Sequence, residues 1–350
     1  MNTRYSFVRT LAATALLGAC TADARNGTLR SQSGAAWNDP SPHQVRWVTV
    51  DSSVKLEVLD WGGAGAPLVL LGCYLSAHMH DDFAPKLTNQ FHVYAITRRG
   101  IGASDKPALG YSVQRSTDDV LEVLDALKLQ KPLLVGTSCA GQVLTLFASQ
   151  HAERLSGLVY LDGAADPTMT AADVGTPSPD GATLPRLLTP PAPDYTSFQA
   201  FRIAQHRDAG VAFPEAELRQ QFIANPDGSM GRSLLSMVIR QAITVDGRTK
   251  PDYSGIRVPV LALYQRDRPF EEVAAKYAIR TEQERTALRQ QYEGTRALYL
   301  RWQRDLAAAV PSARIVELPG ANLFMFLSNE ADVLREIRAF AATLTSAPAL

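Results

Sequence analysis

Apolar residues in the first part of the predicted domain follow the two-residue period of β-strands. In VRWVTV (residues 45–50) and VKLEVLDW (residues 54–61), apolar and polar positions alternate, and the intervening DSS favours a turn. Two continuous apolar runs follow, APLVLLG (residues 66–72) and FHVYAIT (residues 91–97), as is typical of buried parallel strands. The segment between them, DDFAPKLTN, has helical spacing. The pattern predicts an edge hairpin followed by parallel strands that a crossover helix connects.

Strand and helix patterns continue to alternate towards the end of the chain. Helical patterns occupy residues 116–129, 140–153 and 330–344, and strand patterns occupy residues 131–137, 155–162, 256–267 and 313–320. A charged stretch at 270–309 predicts helix, with breaks near Arg280 and Gly294. This order predicts an α/β fold in which a mostly parallel central sheet is flanked by helices.

The regular alternation stops between residues 166 and 255. A proline-rich segment at 176–194 predicts an extended linker, and short helical patterns follow at 197–207, 215–223 and 233–242. We therefore predict a helical cap or lid at 166–255. It is inserted into a core that residues 45–165 and 256–345 form together.

The first 24 residues predict a signal peptide. MNTRYSFVRT contains two arginines, and the apolar stretch LAATALLGA that follows it is too short to span a bilayer. Two cleavage sites fit: LLGAC favours lipoprotein-type cleavage before Cys20, whereas ADA fits ordinary cleavage near Ala24. We expect an exported, periplasmic protein in which residues 25–44 form a flexible tether. Membrane contact would be through a lipid anchor, if Cys20 is lipidated.

Composition and motifs exclude several kinds of partner. The 350 residues include 35 basic and 35 acidic side chains, and no dense basic run lies in the body of the chain. This balance argues against a nucleic-acid partner. Because the sequence shows no metal-ligand cluster, phosphate loop or dinucleotide fingerprint, we expect no cofactor and no metal.

Four segments with chemically useful residues follow predicted strands, at 72–80, 98–104, 136–141 and 162–165. Ligand sites of parallel sheets lie beyond these carboxyl ends. With the strand order, and with the stretches FHVYAITRRGIGASDKP and PGANLFMFLSNEADVLREIRAF, they make the chain resemble the α/β-hydrolase superfamily over residues 45–343. The resemblance is to bacterial members with a helical cap, and it implies the α/β-hydrolase fold.

Residues 136–141, GTSCAG, resemble the G-x-S-x-G nucleophile elbow of this superfamily, with Ala140 in place of the last glycine. The resemblance implies that Ser138 is the nucleophile, whereas a serine after a strand is otherwise usually a helix N-cap. It also implies an oxyanion hole formed by the backbone N–H groups of Cys139 and Cys73. Gly72 allows the close backbone approach that such a hole requires.

The residue that the resemblance implies as general base is missing. A histidine should follow GAN in the last loop, where this chain has Leu323, and all six histidines precede residue 207. Leucine cannot accept a proton. His78 and His80 lie just beyond the predicted oxyanion loop and His206 lies in the predicted cap, so any of them could face the cleft. His78 is the best substitute of the three.

Two carboxylates could orient a base. Asp267, at the end of the strand pattern at 256–267, lies where the resemblance implies the acid and is slightly favoured over Asp162, which ends the strand pattern at 155–162. Either could instead cap backbone or pair with an arginine. The fold also implies that Cys73 and Cys139 lie on the two oxyanion loops, near disulfide range. We hypothesise a redox-sensitive pair beside Ser138, and the alternative is two small buried side chains that fill space.

Cap and sheet should enclose an apolar cleft lined by residues such as Tyr74, Leu75, Phe201, Leu323, Phe324 and Met325. The predicted function is hydrolysis of a small apolar ester or amide through Ser138, with a degraded triad. Two alternatives stay open. One is a catalytically lapsed protein that binds an apolar ligand, and the other is a non-hydrolytic enzyme that uses the same pocket.

Overall fold

A computed structural model describes residues 37–346 apart from residues 177, 182 and 190. The predicted signal peptide, both cleavage sites, the predicted lipidation site Cys20 and the first part of the predicted tether lie outside the described residues. Among the described helices, none combines the length and the apolar character that a membrane span requires.

Eight strands form the central sheet, in the order β1-β2-β4-β3-β5-β6-β7-β8. They are β1 (Gln44–Val50), β2 (Val54–Gly62), β3 (Ala66–Leu71), β4 (Phe91–Ile96), β5 (Leu133–Thr137), β6 (Gly157–Leu161), β7 (Val260–Gln265) and β8 (Arg314–Leu318). Strand β2 runs antiparallel to β1 and β4, and all other pairs are parallel. The predicted hairpin and the mostly parallel sheet are confirmed.

Both faces of the sheet are buried, which explains the continuous apolar runs. Successive side chains of a strand point to opposite faces. Leu68 and Leu70 of β3 therefore belong to one apolar cluster, and Val69 and Leu71 belong to a second cluster on the other face. The helices α1 (Val113–Ala126), α2 (Ala140–Gln150) and, further along the chain, α9 (Glu330–Ser346) supply apolar residues to these clusters.

The cap contains three helices, α3 (Phe198–Ala209), α4 (Glu215–Gln221) and α5 (Met237–Asp246). Two short antiparallel strand pairs were not predicted: Phe222–Ala224 pairs with Met230–Ser233, and Arg186–Leu187 pairs with Tyr277–Ala278. Their strands are two to four residues long, too short for a periodic pattern to be visible in the sequence.

The charged stretch after β7 folds as α6 (Phe270–Ala274) and the 28-residue helix α7 (Glu282–Ala309). The break near Arg280 is confirmed, since Thr281 caps α7. The predicted break at Gly294 is wrong, because α7 continues through it. A Cβ at Gly294 would lie 2.9 Å from the Cβ of Ala171, so this glycine allows a close approach of the cap rather than ending a helix.

Two other segments differ from the predictions. The crossover between β3 and β4 contains the short 3₁₀ turns Ala77–His80 and Ala84–Leu87 rather than an α-helix. The end of the predicted tether lies against the core: the Trp61 indole N–H donates to Ser41 Oγ at 2.9 Å, and Ser41 Oγ donates to the carbonyl of Asp81 at 3.3 Å. The helix α8 (Met325–Ser328) completes the loop after β8.

Candidate active site

Ser138 lies at a sharp turn between β5 and α2. Its φ of +56° falls in the left-handed region that residues with a side chain rarely adopt. Hydrogen bonds hold this conformation on both sides: Ser138 N–H donates to the carbonyl of Leu161 at 3.1 Å, and Gly141 N–H donates to the Ser138 carbonyl at 2.9 Å. A strained backbone of this kind costs about 1–3 kcal/mol and persists only where the surroundings enforce it.

The glycine that follows the elbow is required by packing. A Cβ at Gly141 would lie 2.0 Å from the carbonyl oxygen of Gly163, which follows β6. Helix α2 can therefore pack closely on the sheet only with glycine at this position. Ala140, the departure from the superfamily's motif, is 1% exposed and fits its site.

A disulfide joins the two loops from which the oxyanion hole was predicted. Cys73, after β3, is bonded to Cys139, which precedes α2, and their Cα atoms are 5.2 Å apart. The hypothesis that these cysteines pair is confirmed, and redox sensitivity stays a prediction. The bond fixes the distance between the two backbone segments.

Arg98, which sequence reasoning did not single out, lies against this disulfide. Its Nη1 is 3.5 Å from the Cys73 carbonyl oxygen and 3.7 Å from the Cys139 sulfur, and Nη2 donates to Ser116 Oγ at 2.8 Å. Burial lowers the pKa of Arg98. The guanidinium places a positive charge beside the predicted oxyanion hole.

The loop that carries Cys73 is attached to the cap through Tyr74. The Tyr74 hydroxyl lies 2.8 Å from Thr244 Oγ1 of α5, and the Arg240 guanidinium stacks 5.0 Å from the ring centroid. Cys139 and Tyr74 also share a small apolar cluster with Ile101. Ile243 of α5 belongs to the same cluster, so the cap packs against this part of the core.

A second attachment involves a buried carboxylate. Glu217 of α4 is 1% exposed, and its Oε2 accepts hydrogen bonds from the Ser76 backbone N–H at 3.1 Å and from Ser76 Oγ. Its Oε1 accepts from Gln221 Nε2 at 2.7 Å. Burial raises the pKa of Glu217 to about 7 although the hydrogen bonds from Ser76 and Gln221 oppose this. The sequence offers only a glutamate within an amphipathic helix, which does not distinguish a buried carboxylate from an exposed one.

His78, the best substitute base by sequence, is enclosed by carboxylates. Its Nδ1 lies 2.9 Å from Asp81 Oδ2 and 3.2 Å from Asp39 Oδ2, and its Nε2 lies 3.5 Å from Glu57 Oε1. Burial opposes the charged form, but these carboxylates outweigh it and raise the pKa of His78 to about 12. An imidazolium cannot accept a proton, so the surroundings disfavour a base role for His78.

The other two histidines considered as bases also lie in unsuitable surroundings. His80 is 2% exposed, packs 4.8 Å from the ring of Phe326, and burial lowers its pKa to about 4. His206 is exposed in the last turn of α3. Within the described part of the chain, no side chain forms a hydrogen bond with the Ser138 hydroxyl.

Leu323 follows β8 and is partly buried against the main apolar cluster. Its neighbour Phe324 is 6% exposed and meets the ring of Phe213 from the cap edge to face, with centroids 5.0 Å apart. Asn322 Oδ1 accepts from the Phe324 N–H at 2.8 Å and shapes the loop. The position where the superfamily implies a base is therefore apolar.

The two candidate acids occupy different surroundings. Asp162 follows β6 with a φ of +52°, is 4% exposed, and its Oδ2 accepts from the Tyr299 hydroxyl and from Gln265 Nε2, each at 3.0 Å. Asp267 is 32% exposed and pairs with Arg296 at 3.1 Å. Partial burial raises the pKa of Asp267, and Arg296 opposes that rise. The geometry favours Asp162 as the buried carboxylate, in contrast to the slight sequence preference.

The predicted lining of the apolar cleft divides between two clusters. Leu323 packs against the main cluster, which also contains the buried residues Leu75, Phe201, Phe324 and Met325. Tyr74 belongs to the small cluster with Cys139. Of the main cluster's share of this lining, Phe324 contacts the cap through Phe213.

Among the described residues, one group could hold a metal ion, although the sequence predicted none. Single ligand atoms of Asp39, His43, His78 and Asp81 all lie within 4.8 Å of one another. The residues form two pairs, 39 with 43 and 78 with 81, that lie far apart in the sequence. Only folding brings them together.

Comparison with known proteins places this architecture in a family. The sequence model described as "Alpha/beta hydrolase family" matches residues 63–336. The chain belongs to the alpha/beta hydrolase family. The match includes the elbow at Ser138, the cap and the loop with Leu323.

Individual relatives resemble parts of the chain or its fold. A soluble epoxide hydrolase from a Corynebacterium species is 35% identical over 101 residues, which are 29% of this chain and 35% of that protein. The chain spans less than half the length of the curated relatives it matches.

The solved structure of E-2-(acetamidomethylene)succinate hydrolase has a TM-score of 0.59 at 18% identity, and the match covers 86% of this chain and 99% of that one. An esterase from Exiguobacterium antarcticum has a TM-score of 0.52 at 18% identity, covering 84% and 98%. These structures show the shared fold.

Proposed function

We propose that this alpha/beta hydrolase cleaves a small, largely apolar ester or amide through Ser138. The observation that carries the proposal is the strained backbone of Ser138, held at a φ of +56° beside a disulfide that joins the two oxyanion loops. Strain of this kind is concentrated at functional sites. A serine that served only as a helix cap would not need it.

In the proposed reaction, Ser138 Oγ forms a bond to the carbonyl carbon of the substrate. The developing oxyanion accepts hydrogen bonds from the backbone N–H groups of Cys139 and Cys73. The bond to the leaving group then breaks, and the alcohol or amine departs with the proton that Ser138 has lost. Water hydrolyses the resulting acyl-enzyme and restores the hydroxyl.

Turnover should be slow because the proton of Ser138 has no side-chain acceptor within hydrogen-bond distance among the described residues. Loss of the histidine from a serine triad costs roughly 10⁶ in kcat. What remains is the contribution of substrate binding and of the oxyanion hole. We therefore expect acyl-enzyme formation to be more readily detected than multiple turnover.

The surroundings of the site support an apolar substrate. Leu323, Phe324 and Phe213 bring apolar surface from the last loop and from the cap to one place. An apolar acyl or alcohol group would gain free energy from burial here. No nucleic-acid partner is proposed, in keeping with the balanced charge.

A second candidate function is binding of an apolar ligand without turnover. The observation that favours it is the apolar packing around Leu323, at the position where the superfamily implies a base. In that case the elbow would be retained as part of a binding scaffold. Hydrolysis is preferred because binding alone gives no reason to keep a strained serine.

We also propose that the protein is exported to the periplasm, with a lipid anchor if Cys20 is modified. The Cys73–Cys139 disulfide supports export, because such bonds persist in oxidising compartments and are rare in the cytosol. Fractionation of cells, with a Cys20→Ser variant beside the wild type, tests this. Recovery of both proteins in the cytosol with free thiols would contradict it.

Hydrolysis is tested with p-nitrophenyl esters of increasing acyl length. Wild type, Ser138→Ala and Leu323→His are compared, with Ser149→Ala, an exposed serine of the same helix α2, as the matched control. We expect slow release that Ser138→Ala abolishes, that Ser149→Ala leaves unchanged and that Leu323→His accelerates. Equal release by wild type and Ser138→Ala would refute the proposal, and ester binding without release would favour the second candidate.

A further inference from the structure

Two pairs of side chains meet between the start of the described chain and the 3₁₀ turn that follows β3. Asp39 and His43 come from the segment before β1, and His78 and Asp81 come from the turn and the residue after it. We propose that these four residues bind one divalent transition-metal ion, with Zn²⁺ as the ion that fits best. We call them the His₂Asp₂ cluster. The site is separate from Ser138 and goes beyond the proposed hydrolysis.

The spacing of the ligand atoms matches a small coordination sphere. His43 Nδ1 and Asp81 Oδ1 are 2.9 Å apart, and His78 Nδ1 is 2.9 Å from Asp81 Oδ2 and 3.2 Å from Asp39 Oδ2. His43 faces Asp39 with its other ring nitrogen, Nε2, at 3.9 Å. With one ligand atom from each residue, all four ligand atoms lie within 4.8 Å of one another. In a tetrahedral Zn²⁺ site with bonds of about 2.0–2.1 Å, neighbouring ligand atoms lie about 3.3 Å apart.

Hydrogen bonding within the cluster is incomplete. Asp39 Oδ2, His43 Nδ1 and Asp81 Oδ1 are buried and have no hydrogen-bond partner among the described residues, although each lies close to another member of the cluster. The side chains of His43 and Asp81 are only 5% and 4% exposed. Buried polar atoms without hydrogen bonds are costly, and a shared cation would satisfy all three at once.

The chemistry of the donors selects the class of ion. Two imidazole nitrogens and two carboxylate oxygens suit Zn²⁺ and its neighbours among the divalent transition metals, whereas Mg²⁺ and Ca²⁺ prefer oxygen ligands alone. Binding would displace the proton of His78, because histidine binds a metal as the neutral imidazole, and two carboxylates then balance the charge of one divalent ion. The ligand set therefore favours a transition metal over the alkaline earths.

Groups around the cluster hold its ligands in place. Glu57 Oε1, on β2, lies 3.5 Å from His78 Nε2, so a carboxylate faces the ring nitrogen that does not point at Asp81. Metal-bound histidines commonly have such a partner on the second nitrogen. The ring of His43 packs edge to face against Trp61 and His78, with centroid distances of 5.4 and 5.2 Å. Both imidazoles are thus oriented by packing.

A bound ion would connect the segment before β1 to the turn that follows the oxyanion loop. His78 lies five positions after Cys73, so the ion would brace the loop that the disulfide holds from its other side. Because binding to the folded state stabilises it, Zn²⁺ should raise the midpoint of thermal unfolding. The ion is proposed for structure, and no step of hydrolysis is assigned to it.

The test uses the full chain without an affinity tag, with its disulfide intact, treated with a chelator and then dialysed. Zn²⁺ is titrated by calorimetry, and Co²⁺ is added separately to record its visible absorption, which distinguishes tetrahedral coordination. We expect one ion per chain, the absorption of tetrahedral Co²⁺, and a higher thermal midpoint with Zn²⁺.

Variants assign the binding to the cluster. Asp39→Asn and His43→Asn should weaken Zn²⁺ binding by about 100-fold or more and remove the Co²⁺ absorption. His92→Asn is the matched control, since His92 also contacts a carboxylate, that of Asp60 at 2.8 Å, outside the cluster. It should bind as the wild type does. If His43→Asn fails to fold, Zn²⁺ binding by Asp39→Asn decides whether the cluster holds the ion.

Two results would overturn the proposal. One is that the wild type binds less than one ion per chain at micromolar Zn²⁺, in which case the cluster is a network of ion pairs around a protonated His78. The other is that Asp39→Asn, folded by circular dichroism, binds Zn²⁺ and Co²⁺ as tightly as the wild type.

Discussion

Replacement of Glu217 by glutamine should change how the stability of the protein depends on pH. Glu217 connects the cap to Ser76, on the loop that begins at Cys73, and burial raises its pKa from 4.5 to about 7. Between these two values the folded protein holds a proton that the unfolded chain has released. The contribution of this group to stability is therefore complete below pH 4.5 and is lost as the pH rises through 7.

The size of the effect follows from the pKa change. At about 1.4 kcal/mol per pH unit, the shift from 4.5 to about 7 corresponds to a free energy on the order of 3 kcal/mol. Between pH 5 and pH 8, roughly 2 to 3 kcal/mol of it should be lost. Glutamine can keep both contacts, because its oxygen can accept from Ser76 and its amide can donate to a reoriented Gln221 side chain.

Urea unfolding without reductant, at pH 5 and pH 8, measures this difference. The free energy of unfolding of Glu217→Gln, relative to that of the wild type, should be roughly 2 to 3 kcal/mol higher at pH 8 than at pH 5. Glu215→Gln on the same helix is the control. It removes a partly exposed pair with Arg219, worth at most about 1 kcal/mol. An equal difference between Glu217→Gln and wild type at both pH values would refute the reasoning.

Three further predictions concern stability. Reduction of the Cys73–Cys139 disulfide should destabilise the protein by about 4 kcal/mol in urea unfolding, because the bond closes a loop with a sequence separation of 66. An unchanged urea midpoint would contradict this. Gly141→Ala should destabilise the protein by about 1–3 kcal/mol and lower its thermal midpoint, since the added Cβ would meet the Gly163 carbonyl. An unchanged midpoint would show that the elbow can relax. His80→Leu should gain stability relative to the wild type as the pH falls from 6.5 towards 4. The wild type loses stability in this range because the folded state holds His80 neutral while the unfolded chain binds a proton. Parallel pH profiles of the two proteins would count against this.

The elbow could be predicted from the sequence because its determinants are local. The apolar run of β5, the small residues around Ser138 and the helical pattern of α2 are contiguous, and each has one dominant structural meaning. The hairpin and the parallel strands were predictable for the same reason. Hydrophobic periodicity indicates which side chains are buried when each face of a helix or strand is either wholly buried or wholly exposed.

Features that depend on contacts between distant segments were not predictable. The sequence predicts a helix break at Gly294, yet the role of this glycine depends on the approach of Ala171, which lies outside α7. The two pairs of the His₂Asp₂ cluster have unremarkable spacings, and only the fold joins them. Glu217 is likewise indistinguishable from a surface glutamate until α4 docks on Ser76.

The structure favours Asp162 over Asp267 as the candidate acid, and the reason is physical. Asp267 occupies the position that the superfamily implies, but its side chain pairs with Arg296 near the surface. Asp162 is buried and accepts hydrogen bonds from Tyr299 and Gln265, both from segments more than 100 residues away. Burial of a carboxylate with such donors cannot be derived from its own neighbours in the sequence.

The central claim, that Ser138 is presented as a nucleophile, is tested most directly by labelling with a fluorophosphonate probe. Purified wild type and Ser138→Ala are incubated with the probe, and the modified residue is located by mass spectrometry. We predict slow, stoichiometric modification of Ser138 in the wild type and no modification of the variant. Wild-type protein that stays unlabelled, or equal labelling of Ser138→Ala, would contradict the account.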